Sequence, residues 1–304
     1  MKILVAGELN VDFVLQNFQS FPSLGREVLV EDVSLTLGSA SAICASGLAK
    51  LGNAVVFAGK LGCDPWGDLC LKWLTSLGVD CSPILRDQNI KTGVTVSITS
   101  RNDRALVTYP GSIAELRAAD IREDDLRSCA HLHVSSFFLQ RALRPGLKSL
   151  FARAHGLGLT TSLDPGFDPD EKWGEDLLDV LREVDVFLPN ENELAAITGR
   201  PDHAEALEVL QNGRTLTIAK LGGDGCLALS DGELVSVPAF EVTPLDTTGA
   251  GDSFNAGFLH AWLRGEELTG AMRFGAACGA LSTLESGGTT GQPNEEQVRK
   301  FMKQ

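Results

Sequence analysis

The chain has 304 residues, of which 43% are hydrophobic and 22% charged, and carries a formal net charge of −14. Such a length and composition suit a soluble globular protein with a sizeable core. The acidic balance excludes nucleic acid or an anionic membrane as the main partner, because both require a basic surface. A phosphorylated ligand stays open, since backbone N–H groups at a helix start can hold phosphate despite net acidity. The seven cysteines are scattered, odd in number and never arranged C-x-x-C, which predicts reduced thiols in a cytoplasmic protein and neither a disulfide framework nor a zinc site. No stretch reads as a targeting segment or a membrane span: Ile3–Ala6 is too short, and residues 33–49 are rich in Ser, Thr and Gly.

Along the chain, short apolar runs alternate with helix-period segments. Ile3–Ala6, Val55–Ala58, Leu132–Val134, Leu159–Leu163, Val184–Leu188 and Leu216–Leu221 read as buried strands. Helices are predicted between them, closed by Gly52, Gly78, Gly156 and Gly199. This alternation implies a mostly parallel sheet covered on both faces. Residues 13–37 and 91–111 break the rhythm with alternating, extended stretches and are expected to form a small antiparallel sheet outside the main one. The C-terminal quarter predicts helices at about 251–264 and 269–284, and a last one opened by a capping box of Asn294 and Gln297. The expected division is therefore a main domain (1–12, 38–90 and 112–304) and a discontinuous lid (13–37 and 91–111).

The run Asp246–Phe258 carries the chemistry. A Gly249-Ala250-Gly251 turn feeding a helix leaves backbone N–H groups at the positive end of the helix dipole, an anion site that needs no lysine. Asp252 directly after it would face the bound anion, a costly placement unless the carboxylate takes a proton from an attacking hydroxyl. A plain first-turn helix acid is the competing reading. Asn190 and Glu193 share one face of a starting helical turn and suit either a capping box or Mg²⁺ near nucleotide phosphates. Lys220-Leu221-Gly222-Gly223-Asp224-Gly225 offers close backbone approach and one cation, or an ordinary glycine turn. Gly7-Glu8-Leu9-Asn10-Val11-Asp12 follows the first strand, and its aspartate suits a vicinal diol, because a carboxylate accepts two hydrogen bonds.

Residues 246–258 resemble the C-terminal signature of the ribokinase-like (PfkB-type) carbohydrate kinases almost position for position, and the other stretches extend the resemblance over the whole chain. The resemblance implies a three-layer α/β/α sandwich with a small β-sheet lid, and transfer of the γ-phosphoryl of ATP to a hydroxyl of a neutral sugar or sugar-like molecule. It implies that Gly249, Ala250 and Gly251 form the anion hole and that Asp252 is the base. Asn190, Glu193, Lys220, Gly222 and Gly225 would line the nucleotide site, with Mg²⁺ ordered by Glu193 through water. Asn10, Asp12, Gly38 and Ser39 would line the acceptor pocket, Asp246 and Thr248 match positions beside a K⁺ ion, and paired lids would give a homodimer.

Two stretches depart from the pattern. Gly38-Ser39-Ala40-Ser41-Ala42-Ile43 has Ser39 in place of the second glycine and Ile43 in place of a sugar-binding asparagine, which predicts a more apolar pocket. Asp164-Pro165-Gly166-Phe167-Asp168-Pro169 has Asp168 where an arginine is common, removing a cationic partner for an acidic sugar. Two other readings remain beside the sugar kinase: a nucleoside kinase phosphorylating the ribose moiety, and a non-catalytic sugar- or nucleotide-sensing protein on the same fold. A P-loop kinase fails for lack of G-x-x-x-x-G-K-[ST], and a dinucleotide oxidoreductase for lack of G-x-G-x-x-G after the first strand. A hydrolase built on Ser253 and His260 lacks a nucleophile elbow. His131 and His133 share a strand face without a third ligand and read as packing residues.

Overall fold

The computed structural model describes residues 1–16, 18, 20, 23–99 and 104–303. In chain order the elements are β1 (Lys2–Ala6), β2 (Asn10–Gln16), β3 (Asp32–Gly38), α1 (Ala40–Lys50), β4 (Ala54–Ala58), β5 (Lys60–Gly62), α2 (Pro65–Ser76), β6 (Leu85–Asp87), β7 (Gly93–Thr99), β8 (Arg104–Tyr109) and α3 (Glu123–Arg127). There follow β9 (His131–Val134), α4 (Leu147–Gly156), β10 (Thr160–Leu163), α5 (Glu175–Leu181), β11 (Val186–Phe187), α6 (Glu191–Thr198), α7 (His203–Val209), β12 (Leu216–Lys220), β13 (Cys226–Ser230), β14 (Glu233–Val237), α8 (Ala250–Trp262), α9 (Leu268–Ser282) and α10 (Glu295–Phe301).

The main sheet has eight strands in the order β14-β13-β12-β11-β10-β9-β1-β4. From β12 to β4 every pairing is parallel, as crossover helices require. Because strand side chains alternate in direction, each strand feeds two cores. Ile3, Val5, Val55 and Phe57 face one core with residues of α1, α2, α8 and α9; Leu4, Ala6, Val56 and Ala58 face the other with residues of α4 to α7. That division makes the three layers. The hairpin β13–β14 adds antiparallel strands at one edge, an element that the alternation of strands and helices did not predict.

Glycine punctuation is close to the expectation. Gly52, Gly78 and Gly199 have φ of 83°, 79° and 67° and end their helices. The exception is α4, where Gly156 is the last helical residue and Gly158 (φ 84°) makes the left-handed turn. Strands from the segments 13–37 and 91–111 form a separate four-stranded sheet in the order β3-β2-β7-β8. It is mixed and not purely antiparallel: β2 pairs with β7 in parallel, and with β3 antiparallel. β2 and β7 are separated in the chain by β3 to β6, α1 and α2, so no hairpin forces them antiparallel. The sheet also begins earlier than the periodicity implied, because Asn10 and Asp12 already belong to β2.

Candidate active site

α8 starts where the sequence turns from extended to left-handed. Gly249, the N-cap, has φ 71°, and a Cβ there would stand 2.8 Å from Gly288 O and 2.9 Å from Ile43 Cγ2. Only glycine meets both demands. The turn is fixed from behind by Asp246, whose carboxylate accepts N–H bonds from Thr248 and Gly287, each at 2.8 Å. Ala250, Gly251 and Asp252 then occupy the first helical turn, where N–H groups have no acceptor four residues back. Asp252 is the one acid of that turn.

Beside this turn lies a cavity of about 430 Å³, bounded by Lys220, Gly222 and Gly225 on one side and Ala250, Gly251 and Ala276 on another. At Gly225 (φ 96°) a Cβ would meet Val237 O at 2.1 Å, so the turn after β12 admits no side chain there. Lys220, at the end of β12, is almost wholly buried. Its Nζ donates to Asp164 Oδ2 at 2.7 Å and to Asn255 Oδ1 at 3.2 Å. Burial disfavours both charges, but the pair overcomes it: Lys220 is held above the usual lysine range by Asp164 and Glu193, and Asp164 below the usual carboxylate range by Lys220.

Asn190 and Glu193 form the capping box in full: Glu193 N donates to Asn190 Oδ1 at 2.9 Å, and Asn190 N to Glu193 Oε2 at 2.8 Å. Yet capping does not require burial, and Glu193 is only 7% exposed. Burial, reinforced by the charge of Asp164 and opposed by that of Lys220, pushes its pKa up to about 7. A carboxylate so placed gains from an added cation. No group of three or more metal-ligating side chains occurs among the described residues, so a bound Mg²⁺ would draw most of its oxygens from phosphates and water.

On the acceptor side, Gly38 pairs with Asn10 and Thr36 with Asp12 in the β2–β3 ladder, yet the Asp12 side chain reaches over Gly38, where a Cβ would lie 2.0 Å from Asp12 Oδ1. Asn10 is turned inward: its Nδ2 donates to Asp12 Oδ1 (2.8 Å), Thr95 Oγ1 (3.1 Å) and Val11 O (3.1 Å). It orients Asp12. Ser39 caps α1 with a strained φ of 78°, and its hydroxyl donates to Glu8 O at 2.5 Å. Ile43 is buried against Gly249 and Gly288, so the side chain that stands in place of an asparagine packs behind the glycine turn. Asp168 accepts three backbone N–H bonds, from Asp170, Lys172 and Trp173 at 2.8–3.0 Å. Its carboxylate serves that loop. Arg101 and Phe21, which belong to the two lid segments, lie outside the described residues.

Sequence reasoning missed Glu8, Asp164 and Asn255. Glu8 is 2% exposed, accepts bonds from Ser41 N (3.1 Å) and Ser41 Oγ (2.6 Å), and has a pKa raised by desolvation against the pull of Ser41 and Ser136. Asn255 sits three residues after Asp252 on the same helical face, a spacing that was legible. The hydrolase reading fails in space too: Ser253 Oγ bonds Gln292, while His260 bonds Asn53 and Arg264. His131 and His133 are fully buried in a hydrogen-bonded row with Thr160, Ser162 and Ser135.

Comparisons with known proteins show the family. The model of the pfkB family carbohydrate kinases matches residues 1–295. An ATP-dependent ribose-1-phosphate kinase of Halopiger xanaduensis is 29% identical, covering 99% of this chain and 98% of its own length. Fructokinase-2 of Oryza sativa is 27% identical over 94% of this chain and 89% of its own. The structure of Arabidopsis thaliana ribokinase complexed with ribose and ATP superposes with a TM-score of 0.85 at 24% identity, covering 99% of this chain and 98% of that one. With the fold, the glycine turn and the family match in agreement, the chain belongs to the pfkB family of carbohydrate kinases, phosphotransferases whose acceptor is an alcohol group.

Proposed function

We propose that the protein transfers the γ-phosphoryl group of ATP to a hydroxyl of a neutral sugar, with Asp252 as the base. The observation that supports this most is the Gly249–Gly251 turn: a left-handed glycine opens α8, Ala250 and Gly251 line a cavity of nucleotide size, and Asp252, the acid of the first turn, follows them directly. ATP would be held by the glycine turn after β12 and by the first turn of α8, with Mg²⁺ near Glu193; together they supply the phosphoryl group and its counter-charge. Asp252 takes the proton from the acceptor hydroxyl as that oxygen attacks. The N–H groups of Gly249, Ala250 and Gly251 stabilise charge as it develops. Asp12, oriented by Asn10 and given space by Gly38, accepts hydrogen bonds from acceptor hydroxyls. The β2-β3-β7-β8 sheet acts as a lid that keeps water from competing as acceptor.

Three finer points complete the proposal. K⁺ would lie beside Asp246 and Thr248 and stiffen the turn that the Asp246 carboxylate already ties to Gly287. One face of the lid sheet exposes Val33, Leu35, Val107 and Tyr109, an apolar surface suited to pairing with a second copy. Cytoplasmic location accords with seven free cysteines, of which Cys44, Cys70, Cys226 and Cys278 are buried; no helix among the described residues is long and apolar enough to cross a membrane. The test is phosphate transfer from ATP across a panel of pentoses, hexoses, ketoses, nucleosides, sugar acids and sugar phosphates. Turnover of ATP without transfer to any of them would sink the proposal.

A further inference from the structure

Among the described residues that bound the nucleotide-sized cavity, Lys220 alone is a cation. It stands under α8: a Cβ added to Gly251 would lie 3.5 Å from Lys220 Nζ. Two side chains hold it there. Asp164 Oδ2 accepts from Nζ at 2.7 Å and from Asn255 Nδ2 at 2.6 Å, while Asn255 Oδ1 accepts from Nζ at 3.2 Å. The other Asp164 oxygen is fixed by Gly166 N at 2.9 Å. Lys220, Asp164 and Asn255 are 9%, 5% and 0% exposed.

A closed triangle of this kind is poor value as a stabiliser, because the desolvation of a buried ion pair offsets most of its attraction. Its geometry has another use. An ammonium has three donors, and the two bonds to protein leave one for a ligand in the cavity. Asn255 lies one helical turn beyond Asp252, so the triangle is built on the helix that carries the base. In a protein of net charge −14, a local cation adds to the backbone N–H groups where a polyphosphate's charge is greatest.

We propose that Lys220 meets the terminal, transferred phosphoryl group of the nucleotide, and that Asp164 and Asn255 are positioning residues that hold it beneath the anion turn. The assignment rests on reading the cavity as the nucleotide site. It excludes the ribose and the adenine as partners of Lys220, and it gives the Asp-Pro turn after β10 a task on the phosphate side.

The test compares ATP, ADP and AMP binding by calorimetry, without any acceptor, in the wild-type protein and in Lys220→Met and Asp164→Asn. Lys220→Met is expected to weaken ATP by about 10–100-fold, the range of one charge-assisted hydrogen bond, and to change AMP by less than about 3-fold. Asp164→Asn keeps the shape but loosens the lysine, and should show the same order of nucleotides with a smaller factor. Equal weakening of all three nucleotides, or no weakening of ATP, overturns the proposal. Should Lys220→Met fail to fold, Asp164→Asn decides by the same ratio. Wild-type protein that binds no ATP would instead overturn the nucleotide reading of the cavity, and a failure to phosphorylate any sugar would leave these affinities standing.

Discussion

The side-chain amide of Gln292 donates to Ser253 Oγ at 3.1 Å, joining the segment after α9 to the residue that follows Asp252. The same amide donates to Ile43 O at 2.8 Å, and Gln292 Oε1 accepts from Ser46 Oγ at 2.7 Å, so one buried glutamine links α1, α8 and the C-terminal segment. Gly288, four residues earlier, packs against Gly249. The anion turn is therefore buttressed by chain that is distant in sequence. Gln292→Leu should cost roughly 2–4 kcal/mol, since it strands several buried polar groups together. Denaturant unfolding measures this, and a loss below about 0.5 kcal/mol would show the network to be unimportant.

Asp252→Asn should reduce turnover by about 10²–10⁴-fold, the usual contribution of a general base, while ATP affinity stays within a few-fold. Single-turnover kinetics on the best acceptor, with ATP binding measured in parallel, separate the two effects. Near-wild-type turnover in this variant would remove Asp252 from the role of base.

Glu193 is expected to couple cation binding to pH. Its pKa in the folded protein is raised to about 7, first by burial and then by the charge of Asp164. A carboxyl group whose folded pKa lies above its unfolded value favours folding fully below the unfolded value, and that contribution is lost as pH rises through the folded pKa. Without nucleotide or Mg²⁺, the wild-type protein should lose stability relative to Glu193→Gln between about pH 5 and pH 8. The same variant should require more Mg²⁺ for half-maximal rate, because a cation near the phosphates favours the ionised carboxylate. An unchanged Mg²⁺ titration would leave Glu193 as a helix cap only.

Much of this was legible in sequence because it depends on local pattern. Buried β-branched runs, closing glycines and the run Asp246–Phe258 each announce themselves within a few residues. The edge hairpin β13–β14 was hidden because Leu227 and Leu229 alternate as a half-buried strand does, with no helical segment beside them to set the rhythm. The triangle of Lys220, Asp164 and Asn255 was hidden for another reason. Its members are 35 to 91 residues apart, and only the parallel order of β10, β11 and β12 brings the first two to one sheet end beneath α8. Ile43 and Asp168 were visible as departures, but their contacts, with the anion turn and with a local loop, belong to the tertiary structure.

The acceptor should be neutral: a free sugar, with the ribose of a nucleoside as the nearest alternative, and not a sugar acid or sugar phosphate. Asp12 carries the argument. Asn10 fixes its carboxylate by donating to Oδ1 at 2.8 Å, and a carboxylate accepts hydrogen bonds from hydroxyls and repels an anion. Asp168 adds no repulsion of its own, because the loop 168–173 uses its carboxylate, yet the arginine common at that position is still missing. Ile43 lies against Gly249 and Gly288, so it gives a nucleobase little apolar surface, and Phe13 is already packed edge-on against Trp66 at 5.3 Å. Those two contacts favour the sugar over the nucleoside. The relatives include a kinase named for ribose 1-phosphate, which makes that compound the most demanding competitor on the panel. The kcat/KM of each acceptor should therefore fall from neutral sugars through nucleosides to sugar phosphates and sugar acids. Asp12→Asn should lower kcat/KM for the best neutral sugar by about 10-fold or more, the loss of a charge-assisted contact, while relatively favouring anionic acceptors. Faster phosphorylation of ribose 1-phosphate, a hexose phosphate or a sugar acid than of every neutral sugar and nucleoside would overturn the assignment of Asp12 as the acceptor-selecting group.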